Sequence, residues 1–270
     1  MDISLEQLNE IEEILIEKGW IDLKNNKGSS IANIAFSLFE RANDEEEYIL
    51  LKYLISKYFL CKNYDKHCFD IAKHIESVFY GEKVIIIPVS DERGKIKSGH
   101  AIIYDLECFI DEKKFSEILI RDSLNSIEDR ISEFNTIVVD DFIGSGSQFR
   151  TFVKKCTNSF GLQSSDVYLY SIVMMEKARK RIKDYCYGAV PIFEFPPSLS
   201  PPSDLSATLD PVAVYNRIES RAQVGKNYRR GYLKSEALVT MKKTPNNTLP
   251  IFWWKGDSDS NLWPAIFPRG

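Results

Sequence analysis

The sequence predicts an α/β fold: a mainly parallel central sheet flanked by helices, with an N-terminal helical region. Three observations carry that expectation. Val84-Ile85-Ile86-Ile87-Pro88-Val89, Ile137-Val138-Val139 and the run Val167–Met174 are unbroken apolar stretches rich in β-branched and aromatic residues, as in strands buried on both faces. Residues 1–80 repeat their apolar positions at helical spacing, and the period changes at Gly81. Residues 134–150 run from a buried strand through an acidic turn and a small-residue turn into a helix.

Composition supports a globular protein. At 44% hydrophobic and 27% charged residues, the chain has enough apolar material for a sizeable core. Its 270 residues allow one large domain or two smaller ones. The expected division is a helical region over 1–80 and an α/β domain over 81–270, with a Pro-rich lid or linker around 196–211. A net charge of −4 excludes a molecule that is basic throughout and binds nucleic acid by charge alone. The five cysteines are an odd number, widely spread and without a CxxC pair, which fits free thiols in a reducing cytoplasm. The N-terminus lacks the plan of a signal peptide, and no apolar run is long enough to cross a bilayer.

Taken in order, Leu5, Leu8, Ile11 and Leu15 mark a first helix that Gly19 can close. Ser29 and Ser30 can cap a second, with Ile31, Ile34, Ala35, Leu38 and Phe39 apolar. Acids at 44–47 start a third, where a helix N-terminus favours them. A fourth, over about 65–80, carries Phe69, Ile71, Ile75, Val78 and Phe79. Cys61, His67, Cys68 and His74 raise the idea of a metal site, but zinc sites have tighter Cys/His pairs, and packing is the stronger reading.

The strand 84–89 enters a donor-rich turn over 90–100, and Ala101–Leu106 continues as a helix. Phe115–Ile120 reads as a strand, and Ser126 as the cap of a helix through Arg130. After the strand 167–174, Glu176 and Lys177 fall beyond a strand's carboxyl end, where open α/β sheets hold ligands. Ala189–Phe195 is one more strand. Proline density over 196–204 forbids helix and central strand. Residues 211–235 read as helical, with Arg217 and Arg221 on one face, either as a phosphate or nucleic-acid surface or as a solvated face balanced by acids. Ala237–Met241 is strand-like and 244–250 is a turn. Trp253, Trp254 and Trp263 either close a core or offer a stacking surface for a base.

The chemistry concentrates at Asp140-Asp141-Phe142-Ile143-Gly144-Ser145-Gly146-Ser147-Gln148. Glycines let backbone N–H groups close around an anion, and the following helix N-terminus adds partial positive charge. The two acids suit sugar hydroxyls or a hydrated Mg2+ beside a phosphate. Together they describe a site for a phosphorylated sugar.

This run resembles the ribose-5-phosphate loop of the phosphoribosyltransferases: a hydrophobic strand, two acids, three residues, then Thr/Ser-Gly-x-Thr. The resemblance implies ribose hydroxyls on Asp140 and Asp141 and the 5'-phosphate in the turn of Gly144, Ser145, Gly146, Ser147 and Gln148. Gln148 replaces a usual hydroxyl residue, and Gly144 replaces the acid that handles the base in purine-salvage members. In that family the first core strand ends in a pyrophosphate loop. Residues 90–99 look like that loop, so Ser90, Arg93, Lys95, Lys97, Ser98 and Gly99 are candidates, with Lys177 a further pyrophosphate contact. His100 is the histidine nearest the proposed site. Mg2+ is implied as arriving with the ligand and its waters, with no direct protein ligand.

The late Thr244-Pro245-Asn246-Asn247-Thr248-Leu249-Pro250-Ile251-Phe252-Trp253 run extends the likeness to phosphoribosyltransferase-like effectors of bacterial conflict systems, retron-associated ones included, over about residues 80–254. That resemblance implies antiphage defence. It also implies chemistry at the ribose anomeric carbon of phosphoribosyl pyrophosphate or a nucleotide, and a partner complex of reverse transcriptase with its RNA–DNA product. Homo-oligomers are compatible with it. The alternatives are a non-catalytic nucleotide-binding regulatory module and a toxic effector that cleaves NAD or a nucleoside phosphate.

Overall fold

The computed structural model describes residues 3–89, 98–124, 130–200, 205, 207, 209–256 and 262–269, with Ser98 described in its backbone only. The chain divides into two compact units, Met1–Cys61 with Pro197–Gly270, and Lys62–Pro196. The sequence pattern draws its boundary at residue 80 instead, where the helical period ends.

The first unit opens with three capped helices. Helix α1 (Leu5–Glu17) starts in a capping box: Ser4 accepts the Gln7 N–H while Gln7 accepts the Ser4 N–H. Ser30 caps α2 (Ile31–Phe39), and Asp44 caps α3 (Glu45–Lys57), whose first turn carries Glu45, Glu46 and Glu47 at the positive end of the helix dipole. A short strand, β1 (Phe59–Leu60), follows.

The second unit holds α4 (Tyr64–Val78), β2 (Lys83–Pro88), α5 (Ser98–Phe109), β3 (Glu117–Ile120), β4 (Asn135–Ile143), α6 (Ser147–Phe160), β5 (Val167–Met175), α7 (Glu176–Ile182) and β6 (Gly188–Phe195). Its five strands form one sheet in the order β3-β2-β4-β5-β6, every neighbouring pair parallel. The expected parallel sheet is therefore present. The unbroken apolar runs have a plain cause. In the three central strands Val84–Ile87, Ile137–Val139 and Leu169 are all fully buried, because helices cover both faces. Pro88 ends β2, where a missing N–H costs the ladder little. Ser126 and the helix expected after it fall largely on residues 125–129, outside the described residues.

The first unit resumes at Pro197. Ser198 donates its hydroxyl to the Glu236 carbonyl (2.7 Å), which anchors the start of the Pro-rich stretch. Residues 201–204, within that stretch, lie outside the described residues. Helix α8 (Pro211–Arg221) is capped by Asp210 and has proline in its first turn. Strand β7 (Val239–Thr240) pairs in parallel with β1.

The helical reading of 211–235 is corrected here: the helix stops at Arg221. Gln223, Arg230, Leu233, Lys234 and Glu236 all take left-handed backbone angles, with φ between 53° and 57°, which no right-handed helix can contain. Side chains far along the sequence hold this path. Asn247 donates to the Tyr232 carbonyl and to Ser235 Oγ, and Ser235 Oγ donates to the Asn247 carbonyl. Gly231 is required there, since a Cβ would lie 2.1 Å from the Asn247 carbonyl oxygen. The Asn-Asn pair thus works mainly across the fold rather than within its own turn.

The tail tryptophans Trp253 and Trp263 are core residues, and their indole N–H groups donate to the Thr248 (2.8 Å) and Ile251 (2.9 Å) carbonyls. Arg217 and Arg221 are engaged by the first turn of α3, Arg217 with Asp44 and Glu46 and Arg221 with the buried Glu47. That pairing excludes the phosphate-surface reading of this face and supports the one balanced by acids.

Glu219 of the same helix is buried and accepts the Arg230 N–H at 2.7 Å. Burial, the largest cause, pushes its carboxyl pKa up. A carboxyl raised in the folded state contributes fully below its unfolded pKa, and that contribution is lost as pH rises through the folded value. Denaturation midpoints of the wild type should therefore fall as pH climbs out of the carboxylate range. In Glu219→Gln, which keeps the acceptor, they should fall less. Parallel pH profiles would remove Glu219 as the cause.

Candidate functional site

The strand order creates the site. From β2 the chain moves outward to β3, returns past β2 to β4, and then continues outward through β5 and β6. The reversal puts a topological switch point between β2 and β4. Ligands of open α/β sheets bind in the crevice beyond the carboxyl ends of such strands. The Asp140–Gln148 run leaves β4 at that end, and α5 begins beside it.

Gly144, Ser145 and Gly146 form the turn, all buried, and Ser147 opens α6, with Gln148 exposed. Gly146 occupies the cap position in a left-handed conformation (φ 71°, ψ −3°), and no side chain caps the helix. Its own carbonyl takes the Arg150 N–H (3.0 Å), and the Ser147 N–H points at Ser145 Oγ (3.3 Å). Arg181 of α7 donates to the Ser145 carbonyl at 3.4 Å, tying the loop to the next helix. The result is a small-residue turn at an uncapped helix N-terminus, a geometry that favours anions.

Asp140 and Asp141 are both about 5% exposed at the end of β4, and Asp140 accepts the Asp141 N–H at 2.9 Å. The register matches Asp140 with Ser171. Tyr64, the first residue of α4, belongs to the same neighbourhood. Its hydroxyl is held protonated, first by burial and then by the charges of Asp141, Asp105 and Asp140. Cys68 donates to Asp105 Oδ2 at 3.9 Å. Sequence reasoning missed Tyr64 and Asp105. A lone tyrosine at a helix start and an acid inside a helix carry no local signal, because α4 and α5 reach the acids only through the fold.

Of the pyrophosphate candidates, Ser90, Arg93, Lys95 and Lys97 lie outside the described residues, as does the Ser98 side chain. Gly99 is buried at the start of α5, and a Cβ there would lie 2.9 Å from Pro88 Cβ. Glycine lets this helix start press against the end of β2. Lys177 sits in the first turn of α7, directly beyond β5. His100 Nε2 lies 3.9 Å from Asp122.

The Cys/His group has other partners. His74 Nδ1 is 3.1 Å from the Tyr170 hydroxyl, and His67 meets the Phe193 ring edge-on at 5.1 Å. Among the described residues, no group of three or more His, Cys, Asp or Glu side chains could hold a metal ion. No helix among them is long and apolar enough to cross a membrane.

The sequence matches the PRTase-CE family over residues 29–269. Among solved structures the chain is similar to a hypothetical protein from Neisseria gonorrhoeae with bound ppGpp. That likeness has 13% identity and a TM-score of 0.34, over 58% of this chain and 96% of that one. It is also similar to the xanthine-guanine-hypoxanthine phosphoribosyltransferase of Helicobacter pylori, with 11% identity and a TM-score of 0.32, over 51% of this chain and 89% of that one. A comparison with curated proteins finds no match.

Proposed function

The chain belongs to the PRTase-CE family, and from that premise we propose that it binds a phosphoribosyl compound and acts at the ribose anomeric carbon. The supporting observation is the run from Asp140 to Gln148: two buried acids at a strand end, followed by a left-handed glycine and an uncapped helix N-terminus. In this reading the turn 144–148 holds the 5'-phosphate through backbone N–H groups. Asp140 and Asp141 hold the ribose hydroxyls, and the buried Tyr64 shields them from water. The 90–99 segment and Lys177 meet the leaving diphosphate.

The donor set suits Mg2+ carried in by the diphosphate, because the two carboxylates supply hard oxygens but too few for a dedicated protein cage. When bound, the ion neutralises charge on the leaving group. The chain's own task is positioning and charge complementarity toward a cation-like sugar. The likeness carried by 140–148 and 244–253 extends the proposal to an antiphage effector acting with a reverse transcriptase and its RNA–DNA product.

Calorimetric titration of phosphoribosyl pyrophosphate with Mg2+ tests the site. Wild type should bind saturably, and Asp141→Asn should bind about 10- to 100-fold more weakly, the worth of one hydrogen bond to a charged group. If the well-folded wild type binds neither this ligand nor NAD nor nucleoside phosphates, or if Asp141→Asn binds equally well, the assignment fails.

A further inference from the structure

The first unit carries a cavity of about 320 Å3, open to solvent, that none of the phosphoribosyl chemistry uses. Lys27, Lys255, Ser29, Asn33 and Ser37 supply its polar lining, and Trp263 forms part of its wall. A second cavity of about 150 Å3 adjoins it through Asn25 and is lined by Lys24, Lys242 and Lys243. Five lysines therefore face the two cavities, and among the described residues no Asp or Glu lines either of them.

The larger cavity is also built on fixed backbone. Asn25 is buried, donates to the Ile266 carbonyl (3.0 Å) and accepts the N–H groups of Lys27 (2.9 Å) and Ser29 (3.2 Å). Lys255 is tied by its carbonyl to the Trp263 N–H (3.0 Å), and the Trp263 indole is held by the Ile251 carbonyl. Asn33, Ile34 and Ser37 of α2 also line it, so the cavity runs along one side of this nine-residue helix, whose N-terminus is capped by Ser30. Two cations on anchored backbone lose less freedom on binding than two on loose loops. Hydroxyl and amide groups beside them can orient the rest of a ligand, and the volume lies within the range of small-molecule sites.

The geometry points to a second anion site in the first unit, one that takes a small phosphorylated molecule of about nucleotide size between Lys27 and Lys255. It belongs to a different unit from the Asp140–Gln148 site and does not depend on that assignment.

The test uses the full chain labelled with 5-fluorotryptophan, which gives one 19F signal for each of the four tryptophans. The Trp263 signal is assigned by its loss in Trp263→Phe. Titration with inorganic pyrophosphate should move it saturably in the wild type and equally in Asp141→Asn. In Lys27→Gln/Lys255→Gln the affinity should drop at least about tenfold, as expected on losing charge-assisted hydrogen bonds. Both lysines are exposed, so the double variant should fold, and an unchanged pattern for the other tryptophans checks that. A Trp263 signal that stays still, that moves equally in the double lysine variant, or that follows sodium chloride at matched ionic strength would overturn the site.

Discussion

Gly146→Ala should cost the second unit about 2–5 kcal/mol and abolish phosphate-loop binding, whereas Gly161→Ala should cost only about 1–2 kcal/mol. The two glycines flank α6 and share a left-handed backbone, φ 71° at Gly146 and 69° at Gly161. The backbone penalty for an L side chain is thus the same at both. The surroundings differ. A Cβ on Gly161 meets nothing within 4 Å, but one on Gly146 would lie 2.7 Å from Ile182 Cγ2 and 3.3 Å from the Ala178 carbonyl. Ala178 and Ile182 are fully buried in α7, so the loop must move rather than its neighbours. Movement there displaces Ser145 and the first turn of α6 together. Denaturant midpoints of the two variants, with pyrophosphate binding measured on each, decide the matter. Equal losses of stability would mean that the α7 contact exerts no constraint.

Arg221→Ala should destabilise the first unit by about 3–5 kcal/mol, and Arg217→Ala by no more than about 1 kcal/mol. Glu47 is 1% exposed, and Arg221 meets both of its carboxylate oxygens while also donating to the Arg41 carbonyl at 3.1 Å. Removing that guanidinium leaves a buried carboxylate whose remaining cation, Arg217, is 3.6 Å away. Arg217 mainly serves Asp44 and Glu46, which are half exposed, so water replaces it readily. Glu47→Gln/Arg221→Met should recover much of the loss, since a neutral pair needs no charge compensation. Unfolding curves of the four proteins test this. An Arg217 variant as damaged as the Arg221 variant would show that the network acts as a whole rather than through Glu47.

The local geometry of the candidate site was legible in a few adjacent residues. Asp140, Asp141 and the Gly-Ser-Gly turn announce themselves because a strand end, a left-handed glycine and a helix start are all written in adjacent residues. Tyr64 and Asp105 were illegible because they reach the acids from α4 and α5. The two readings of Arg217 and Arg221 stayed open in the sequence for a related reason: their partners at Asp44, Glu46 and Glu47 lie more than 170 positions away.

Adjacent residues alone specify the buried strands β2, β4 and β5, the parallel α/β class, the helices α1 to α3 with the Ser30 cap of α2 and the acidic start of α3, and the small-residue turn after β4. Each of these follows from local periodicity, side-chain branching or a cap within a few residues. Long-range strand pairing sets β4 between β2 and β5, and so where the switch-point crevice opens. Long-range packing also joins Met1–Cys61 to Pro197–Gly270 in one unit and ends α8 at Arg221 in favour of a left-handed path held by Asn247. These outcomes depend on which distant surfaces bury one another. That choice is made by packing and hydrogen bonding across the whole chain, and no short window of sequence contains it.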